Sequence, residues 1–214
     1  MIKNIVFDVG NVLVHYAPAK FIKRFTDVPE YQELLLHEIF LSVEWIKYDR
    51  GTISKEELGR AICSRVKENL HDTVLEIIDC WHEEIKPNEA MKPLVKQLKD
   101  QGYKLYILSN APHAFHEFKH RIPALDLFDS AFVSAEWKLL KPQIEIFQAF
   151  CSHFQLVPSE CLFIDDLAIN VEGAINAGMD GCIFKGNIQE LVLKLENAGV
   201  KLDKKQLNLN ISDD

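Results

Sequence analysis

The chain has 214 residues, 48% of them hydrophobic, and a formal net charge of −8 at pH 7. This length suits one large domain or a domain with a smaller insert, and the acidic balance argues against nucleic acid or an anionic membrane as partner. No apolar run approaches the ~20 residues that span a bilayer. The five cysteines form no Cys-x-x-Cys pair, which is typical of reduced thiols. With no signal peptide evident, we expect a cytoplasmic protein.

The first predicted element is a short apolar run, residues 5–7, that ends in Asp8. After a turn at Gly10 and Asn11 the chain becomes apolar again. A run of this kind, bounded by turn formers, predicts a strand buried on both faces of a parallel sheet. Open α/β sheets bind their ligands at the carboxyl ends of the strands, where Asp8 would lie. Taken alone, an Asp in this position is more often a turn or cap residue than a catalyst.

In residues 15–87 the apolar side chains recur at helical spacing instead, and charged residues border each apolar group. Ser54 followed by Glu57 matches a capping box and marks a helix start. Because this stretch contains no strand that could join the sheet, it predicts a helical-bundle domain. We expect it to be inserted into a core domain formed by residues 1–14 and 88–214.

Strands and helices alternate along the rest of the chain. Apolar runs predict strands at residues 104–108, 131–133, 161–164 and 182–184, and helical spacing predicts helices at residues 90–98, 112–120, 142–154, 170–177 and 188–197. This alternation is typical of the α/β class, so we expect a Rossmann-like, mostly parallel sheet flanked by helices. The polar stretch at residues 201–214 is predicted to fray in part.

Polar residues follow two of the predicted strands. Ser109 and Asn110 come directly after residues 104–108, and Asp165 and Asp166 come directly after residues 161–164. If the strands are parallel neighbours, these side chains meet the first-strand carboxylate at one edge of the sheet. Three carboxylates in one place are unfavourable unless a cation neutralises them, and hard oxygen ligands suit Mg²⁺. Each pair by itself could instead cap a helix.

Four short motifs in this order resemble those of the haloacid-dehalogenase-like (HAD) hydrolase superfamily. They lie at residues 7–13, 108–110, 141–142 and 164–166. The helical insert lies where that family carries its C1-type cap domain. More narrowly, residues 8–11 and 44–54 resemble the α-D-glucose-1-phosphate phosphatase branch. Each motif alone is weak, but four in order together with the cap form a specific pattern.

The resemblance implies a Mg²⁺-dependent phosphatase acting on small phosphorylated substrates. Asp8 would be the catalytic nucleophile that forms an aspartyl-phosphate, and Lys141 would be the catalytic counter-charge to the phosphoryl group. The metal ligands would be the Asp8 carboxylate, the Gly10 backbone carbonyl and Asp166, with Asp165 binding directly or through water. The oligomeric state is left open.

The resemblance also places substrate-binding residues on the core and on the cap. They are Ser109, Asn110, Trp45, Arg50 and His113. Trp45 could instead pack inside the helical bundle. His113, His116 and His120 fall on one helical side, which is more typical of a solvated face than of a zinc site.

The family's common first motif has a second Asp two residues after the nucleophile, which protonates the leaving alcohol. This chain has Gly10 there. Either the leaving group needs little help, as with the anomeric oxygen of a sugar 1-phosphate, or another acid such as His15 replaces the missing one. The alternatives are a metal-independent haloacid dehalogenase-type hydrolase and a non-catalytic regulator that binds phosphorylated ligands.

Overall fold

The structure is a computed structural model that describes residues 1–203 and residue 207. Its strands are β1 (Asn4–Phe7), β2 (Val14–His15), β3 (Lys86–Pro87), β4 (Lys104–Ser109), β5 (Ser130–Val133), β6 (Cys161–Asp165) and β7 (Asp180–Ile183). One parallel sheet contains five of them in the order β5–β4–β1–β6–β7, and β2 pairs with β3 antiparallel. The expectation of a mostly parallel α/β sheet is confirmed.

The α-helices are α1 (Pro18–Ile22), α2 (Pro29–Leu35), α3 (Val43–Asp49), α4 (Lys55–Cys63), α5 (His71–Cys80), α6 (Lys92–Asp100), α7 (Phe115–Phe118), α8 (Ser134–Trp137), α9 (Ile144–His153), α10 (Ala168–Asn176) and α11 (Ile188–Asn197). A π-helical turn at Leu36–Phe40 continues α2. Short 3₁₀ turns occur at Glu68–Leu70, Trp81–Glu84, Glu89–Met91, Lys119–Arg121, Leu125–Leu127 and Pro158–Glu160. In the described part of the chain no helix combines the length and apolarity that crossing a bilayer requires.

The central strand β1 is apolar without interruption because both of its faces are covered. Successive side chains of a strand point to opposite faces. Ile5 and Phe7 therefore pack into the larger hydrophobic cluster, while Val6 packs into a second cluster with Phe147 and Phe163. All four residues of the strand are buried. Parallel pairing with β4 and β6 on either side holds β1 in the middle of the sheet.

Several predicted boundaries differ from the observed ones. The helix predicted at residues 112–120 contains only the four-residue α7 and then tightens into the 3₁₀ turn Lys119–Arg121. The helix predicted to begin at Pro142 begins at Ile144, after a turn in which the Gln143 N–H bonds to the Leu140 carbonyl. The last strand starts at Asp180 because backbone pairing with β6, and not apolarity, decides its extent.

The helices α1–α5 lie between β1 and β4 in the chain, as the helical spacing predicted. The capping box is confirmed, since Ser54 Oγ accepts the Glu57 N–H and the Glu57 carboxylate accepts the Ser54 N–H at 2.7 Å. The β2–β3 pair, which the sequence did not predict, joins both ends of this segment through His15 and Lys86. The division into two domains stays a prediction. The fraying predicted for residues 201–214 falls mostly outside the described residues.

Asp129, just before β5, accepts hydrogen bonds from Lys99 Nζ at 2.6 Å, Lys104 Nζ at 3.0 Å and the Leu105 N–H at 2.9 Å. Burial alone raises the pKa of Asp129, but these three bonds outweigh it and lower the pKa to about 2. A lowered folded-state pKa stabilises the fold at neutral pH, and this contribution is lost as the pH falls from about 4 toward 2.

Asp129→Asn should therefore lower the free energy of unfolding by about 1–2 kcal/mol at pH 7. The difference from the unmodified protein should shrink at pH 3, where the native carboxylate is already partly protonated. Urea unfolding at the two pH values measures this, with the exposed Asp126→Asn as the matched control. An equal loss at both pH values would contradict the assigned role of the charge.

Candidate active site

The carboxyl ends of β1, β4 and β6 meet at one edge of the sheet, as predicted. Asp8 directly follows β1, and its N–H donates to the Ile164 carbonyl of β6 at 2.8 Å. A cavity of about 290 Å³ opens over this edge. Its lining includes these residues from the predicted set: Asp8, Gly10, Trp45, Ser109, Asn110, Lys141 and Asp166. Segments far apart in the chain are thus brought to one place.

Lys141 is the buried cation of the site. Its Nζ lies 2.7 Å from Asp8 Oδ1 and 2.7 Å from Asp165 Oδ2, and it donates to the Leu108 carbonyl at 3.0 Å. The side chain is 1% exposed. Burial opposes its charge, but the two carboxylates outweigh burial and raise the pKa of Lys141 above its ordinary value. The ammonium group is therefore fully charged beside the predicted nucleophile.

Asn110 holds the backbone of Lys141 in place. The Asn110 amide donates to the Lys141 carbonyl at 2.9 Å, and its carbonyl oxygen accepts the Lys141 N–H at 2.9 Å. The sequence had placed Asn110 among the substrate-binding residues. This reciprocal pair positions the lysine segment. Asn110 also lines the cavity, so its contact with substrate stays a prediction.

Asp165 is fully buried, and hydrogen bonds saturate its carboxylate. Besides Lys141, it accepts from the Leu167 N–H at 2.8 Å and from Asn170 Nδ2, which lies 3.1 Å from each carboxylate oxygen. The sequence reasoning missed Asn170, although its place five residues after Asp165, near the start of the predicted helix, was a usable signal. Gly173 in the same helix α10 allows close packing on the lysine segment, because a Cβ there would lie 2.4 Å from the Pro142 carbonyl oxygen.

Asp8, Asp165 and Asp166 form an acidic cluster whose oxygens lie within 4.8 Å of one another. Burial raises the pKa of Asp8 to about 7, although Lys141 opposes this. Burial also raises the pKa of Asp166, although a hydrogen bond from Asn11 Nδ2 at 3.1 Å opposes it. Desolvated carboxylates placed together need a cation to remain ionised, and the carboxylates of Asp8 and Asp166 are hard oxygen donors that suit Mg²⁺. The residues present thus fit the predicted metal.

Aromatic side chains form another part of the cavity lining. Trp45 is 4% exposed and contacts Phe40, Tyr48 and Trp81, with ring centroids 4.5, 5.7 and 5.4 Å away. It also lines the cavity. Trp45 therefore packs among aromatic side chains of the helical segment, and its contact with substrate stays a prediction. The sequence did not single out Trp81, which lies beside Trp45 in the same wall.

The structure does not bring three candidates into this cavity. Arg50 lies in a neighbouring depression beside Asn110 and Lys141, and its buried Nε has no hydrogen-bond partner. His113 is exposed to solvent, as are His116 and His120. His15, the possible replacement acid, is exposed and lines a separate depression. Helical spacing alone could not decide which of these side chains reached the site.

One part of the helical segment is bonded directly to residues beside the site. Ser134 Oγ donates to the Asp49 carbonyl at 2.5 Å and accepts the Ala111 N–H at 2.9 Å. Gly51 has φ +72°, and a Cβ there would lie 2.3 Å from the Ala135 carbonyl oxygen. The end of α3 is therefore held against the loop that follows Ser109, a contact that no local sequence signal indicated.

Comparison with known proteins agrees with this site. Residues 2–178 match the model of the haloacid dehalogenase-like hydrolase family, and the chain belongs to that family. It is therefore a hydrolase. A sesquiterpene phosphatase of Aspergillus oryzae is 28% identical over 84% of this chain and 88% of its own length. A D-ribitol-5-phosphate phosphatase of Bacteroides thetaiotaomicron is 28% identical over 80% of this chain and 86% of its own.

Among solved structures, a HAD family enzyme from Bacteroides thetaiotaomicron in complex with magnesium and inorganic phosphate matches with a TM-score of 0.70. It is 25% identical, and the match covers 87% of this chain and 96% of that one. An L-2-haloacid dehalogenase from Xanthobacter autotrophicus, 18% identical with a TM-score of 0.66 over 94% of this chain and 85% of its own, shares the fold. The narrower resemblance to α-D-glucose-1-phosphate phosphatases is not confirmed by these relatives.

Proposed function

We propose that the protein is a Mg²⁺-dependent phosphatase of small phosphorylated metabolites, with Asp8 as the nucleophile. The observation that carries this proposal is the position of Lys141, whose Nζ lies 2.7 Å from both Asp8 and Asp165 beside the desolvated Asp166. Relatives named as phosphatases support it. We also propose that residues 15–87 form a cap over the site and that the protein works in the cytoplasm.

The chemistry follows from the groups at the sheet edge. The Ser109 hydroxyl and the Lys141 ammonium bind the phosphoryl oxygens, and the Asp8 carboxylate attacks phosphorus on the side opposite the ester oxygen. The P–O bond to the alcohol breaks, and water then hydrolyses the aspartyl-phosphate and releases phosphate. Asp8, Asp166 and the Gly10 carbonyl would hold Mg²⁺, which would neutralise the charge between the carboxylates and the phosphate. Asp165 acts through Lys141, which it orients.

A sugar 1-phosphate is the substrate that the motif resemblance favours within this class. Position 10 is glycine, so the residue that usually protonates the leaving oxygen is missing. An anomeric oxygen leaves more readily than an ordinary alkoxide and depends less on such an acid.

Removing the metal should abolish activity. We expect EDTA to eliminate hydrolysis of p-nitrophenyl phosphate and added Mg²⁺ to restore it. Because burial raises the pKa of Asp8 to about 7 in the metal-free site, protons compete with Mg²⁺ below that pH. The Mg²⁺ concentration for half-maximal rate should then rise up to about tenfold per pH unit below 7. Initial rates at several Mg²⁺ concentrations between pH 5.5 and 8 measure this.

Two further measurements, each with and without Mg²⁺, separate the alternative functions. Halide release from a 2-haloacid that persists in EDTA would identify a haloacid dehalogenase-type hydrolase and contradict the proposal. Absence of turnover for every phosphate ester, with phosphate still bound, would identify a non-catalytic regulator.

A further inference from the structure

The lining of the cavity combines two kinds of chemistry. The charged side chains Asp8, Lys141 and Asp166 lie at the sheet edge. A second group of lining residues, the aromatic wall, is apolar or aromatic: Val14, Tyr16, Trp45, Trp81, Ile85 and Phe118. The ring centroid of Trp81 lies 6.0 Å from that of Tyr16 and 5.7 Å from that of Phe118, both edge to face. The organic part of a phosphate ester bound in this cavity would therefore meet aromatic side chains.

This wall offers few partners for hydroxyl groups. Among the lining residues in the described part of the chain, its polar side-chain groups belong to Tyr16, Asp49 and the two tryptophans. Burial raises the pKa of Tyr16 well above its ordinary value, and the Trp45 side chain opposes this. Asp49 is half-buried, and burial raises the pKa of its carboxyl well above the ordinary value. The indole N–H of Trp81 is buried without a partner.

Several sugar hydroxyls in such an environment would lose hydrogen bonds to water without replacing them, which is unfavourable. An apolar ring gains from the same burial and packs edge to face against the wall. The cavity of about 290 Å³ lies at the lower end of ordinary ligand pockets, which suits a small phosphate ester.

We propose that the aromatic wall of the cavity binds a phenyl-sized aryl group, so that the preferred substrates are aryl phosphate monoesters and not sugar phosphates. This inference rests on the proposed phosphatase function and deepens it. It also accounts for Gly10, because a phenolate, whose conjugate acid titrates near pH ~10, leaves without the protonation that an alkoxide needs. The aromatic wall and the missing acid then point to one substrate class.

Binding can be tested apart from leaving-group reactivity with stable phosphonates. Benzylphosphonate places a methylene where phenyl phosphate has its ester oxygen, and methylphosphonate keeps the phosphonate without the ring. Both compounds are measured as competitive inhibitors of p-nitrophenyl phosphate hydrolysis by the full chain with Mg²⁺. Benzylphosphonate should bind at least about tenfold more tightly than methylphosphonate. The kcat/KM for phenyl phosphate should also exceed that for α-D-glucose 1-phosphate.

A pair of variants assigns the effect to the wall. Trp45→Ala should weaken the binding of benzylphosphonate about tenfold and leave the binding of methylphosphonate unchanged. The matched control is Trp137→Ala, which removes an indole that is 38% exposed, stacks on Phe132 and does not line the cavity. The control should change neither constant. If Trp45→Ala does not fold, the two inhibition constants of the unmodified protein decide the question.

Equal inhibition by the two phosphonates, or a higher kcat/KM for glucose 1-phosphate than for phenyl phosphate, overturns the aryl assignment. The phosphatase function still stands in that case if p-nitrophenyl phosphate is hydrolysed. Failure to hydrolyse any phosphate ester in Mg²⁺ overturns both.

Discussion

Asp8→Asn should reduce the hydrolysis of p-nitrophenyl phosphate by at least about 10³-fold. The amide has nearly the same shape as the carboxylate, but it carries no charge with which to attack phosphorus or to bind Mg²⁺. The fold should survive although Asp8 is buried, because the amide fills the same space and Lys141 keeps its 2.7 Å contact with Asp165. Rates with saturating Mg²⁺ and a thermal unfolding curve measure the two properties separately.

Asp27→Asn is the matched control for this change. It makes the same substitution at an exposed acid in the loop before α2 and should leave the rate and the unfolding temperature unchanged. Turnover by Asp8→Asn within about tenfold of the unmodified rate would exclude Asp8 as the nucleophile. Loss of the folded state in that variant would show that its charge is structural.

Lys141→Met should remove activity and also destabilise the protein. The ammonium lies between two buried carboxylates, so its loss leaves Asp8 and Asp165 close together without a counter-charge. Breaking a buried ion pair from one side costs about 3–5 kcal/mol. The loss should be larger at pH 8 than at pH 5, because burial raises the pKa of Asp8 to about 7, so that Asp8 takes up a proton at the lower pH and the repulsion is lost. Urea unfolding at the two pH values tests this.

Two controls make the result specific. Lys23→Met replaces an exposed lysine at the end of α1 and should have no measurable effect. Adding Asp8→Asn to Lys141→Met should recover part of the lost stability, since one of the two unpaired charges is gone, but none of the activity. If Lys141→Met were as stable as the unmodified protein at pH 8, the three-residue ion cluster would not stabilise the fold.

The core of the site was predictable from sequence because it depends on local patterns. Apolar runs that end in polar residues predicted β1, β4 and β6, and the rule that parallel strands present their carboxyl ends at one edge predicted that Asp8, Ser109 and Asp166 converge. The structure places all three in one cavity. The capping box at Ser54 was predictable for the same reason, since its two hydrogen bonds join residues three positions apart.

Other parts of the site depended on contacts that no local pattern carries. The sequence did not indicate that both ends of the Asn110 amide bond to the backbone of Lys141, 31 residues away. Asn170 saturates Asp165 from a helix whose start was predicted only approximately. The Ser134 hydroxyl reaches Asp49 across 85 residues, and nothing in the spacing around either residue indicates this.

The sequence by itself determined the parallel α/β sheet, the helical insert and the family, because strand, helix and motif signals each arise within a few neighbouring residues. Only the tertiary structure decided which of the candidate side chains reach the cavity. Trp45 and Trp81 lie in its wall, while His113 and His15 do not. The orientation of one helix against another depends on side-chain packing summed over many distant residues, and that packing exists only in the folded chain.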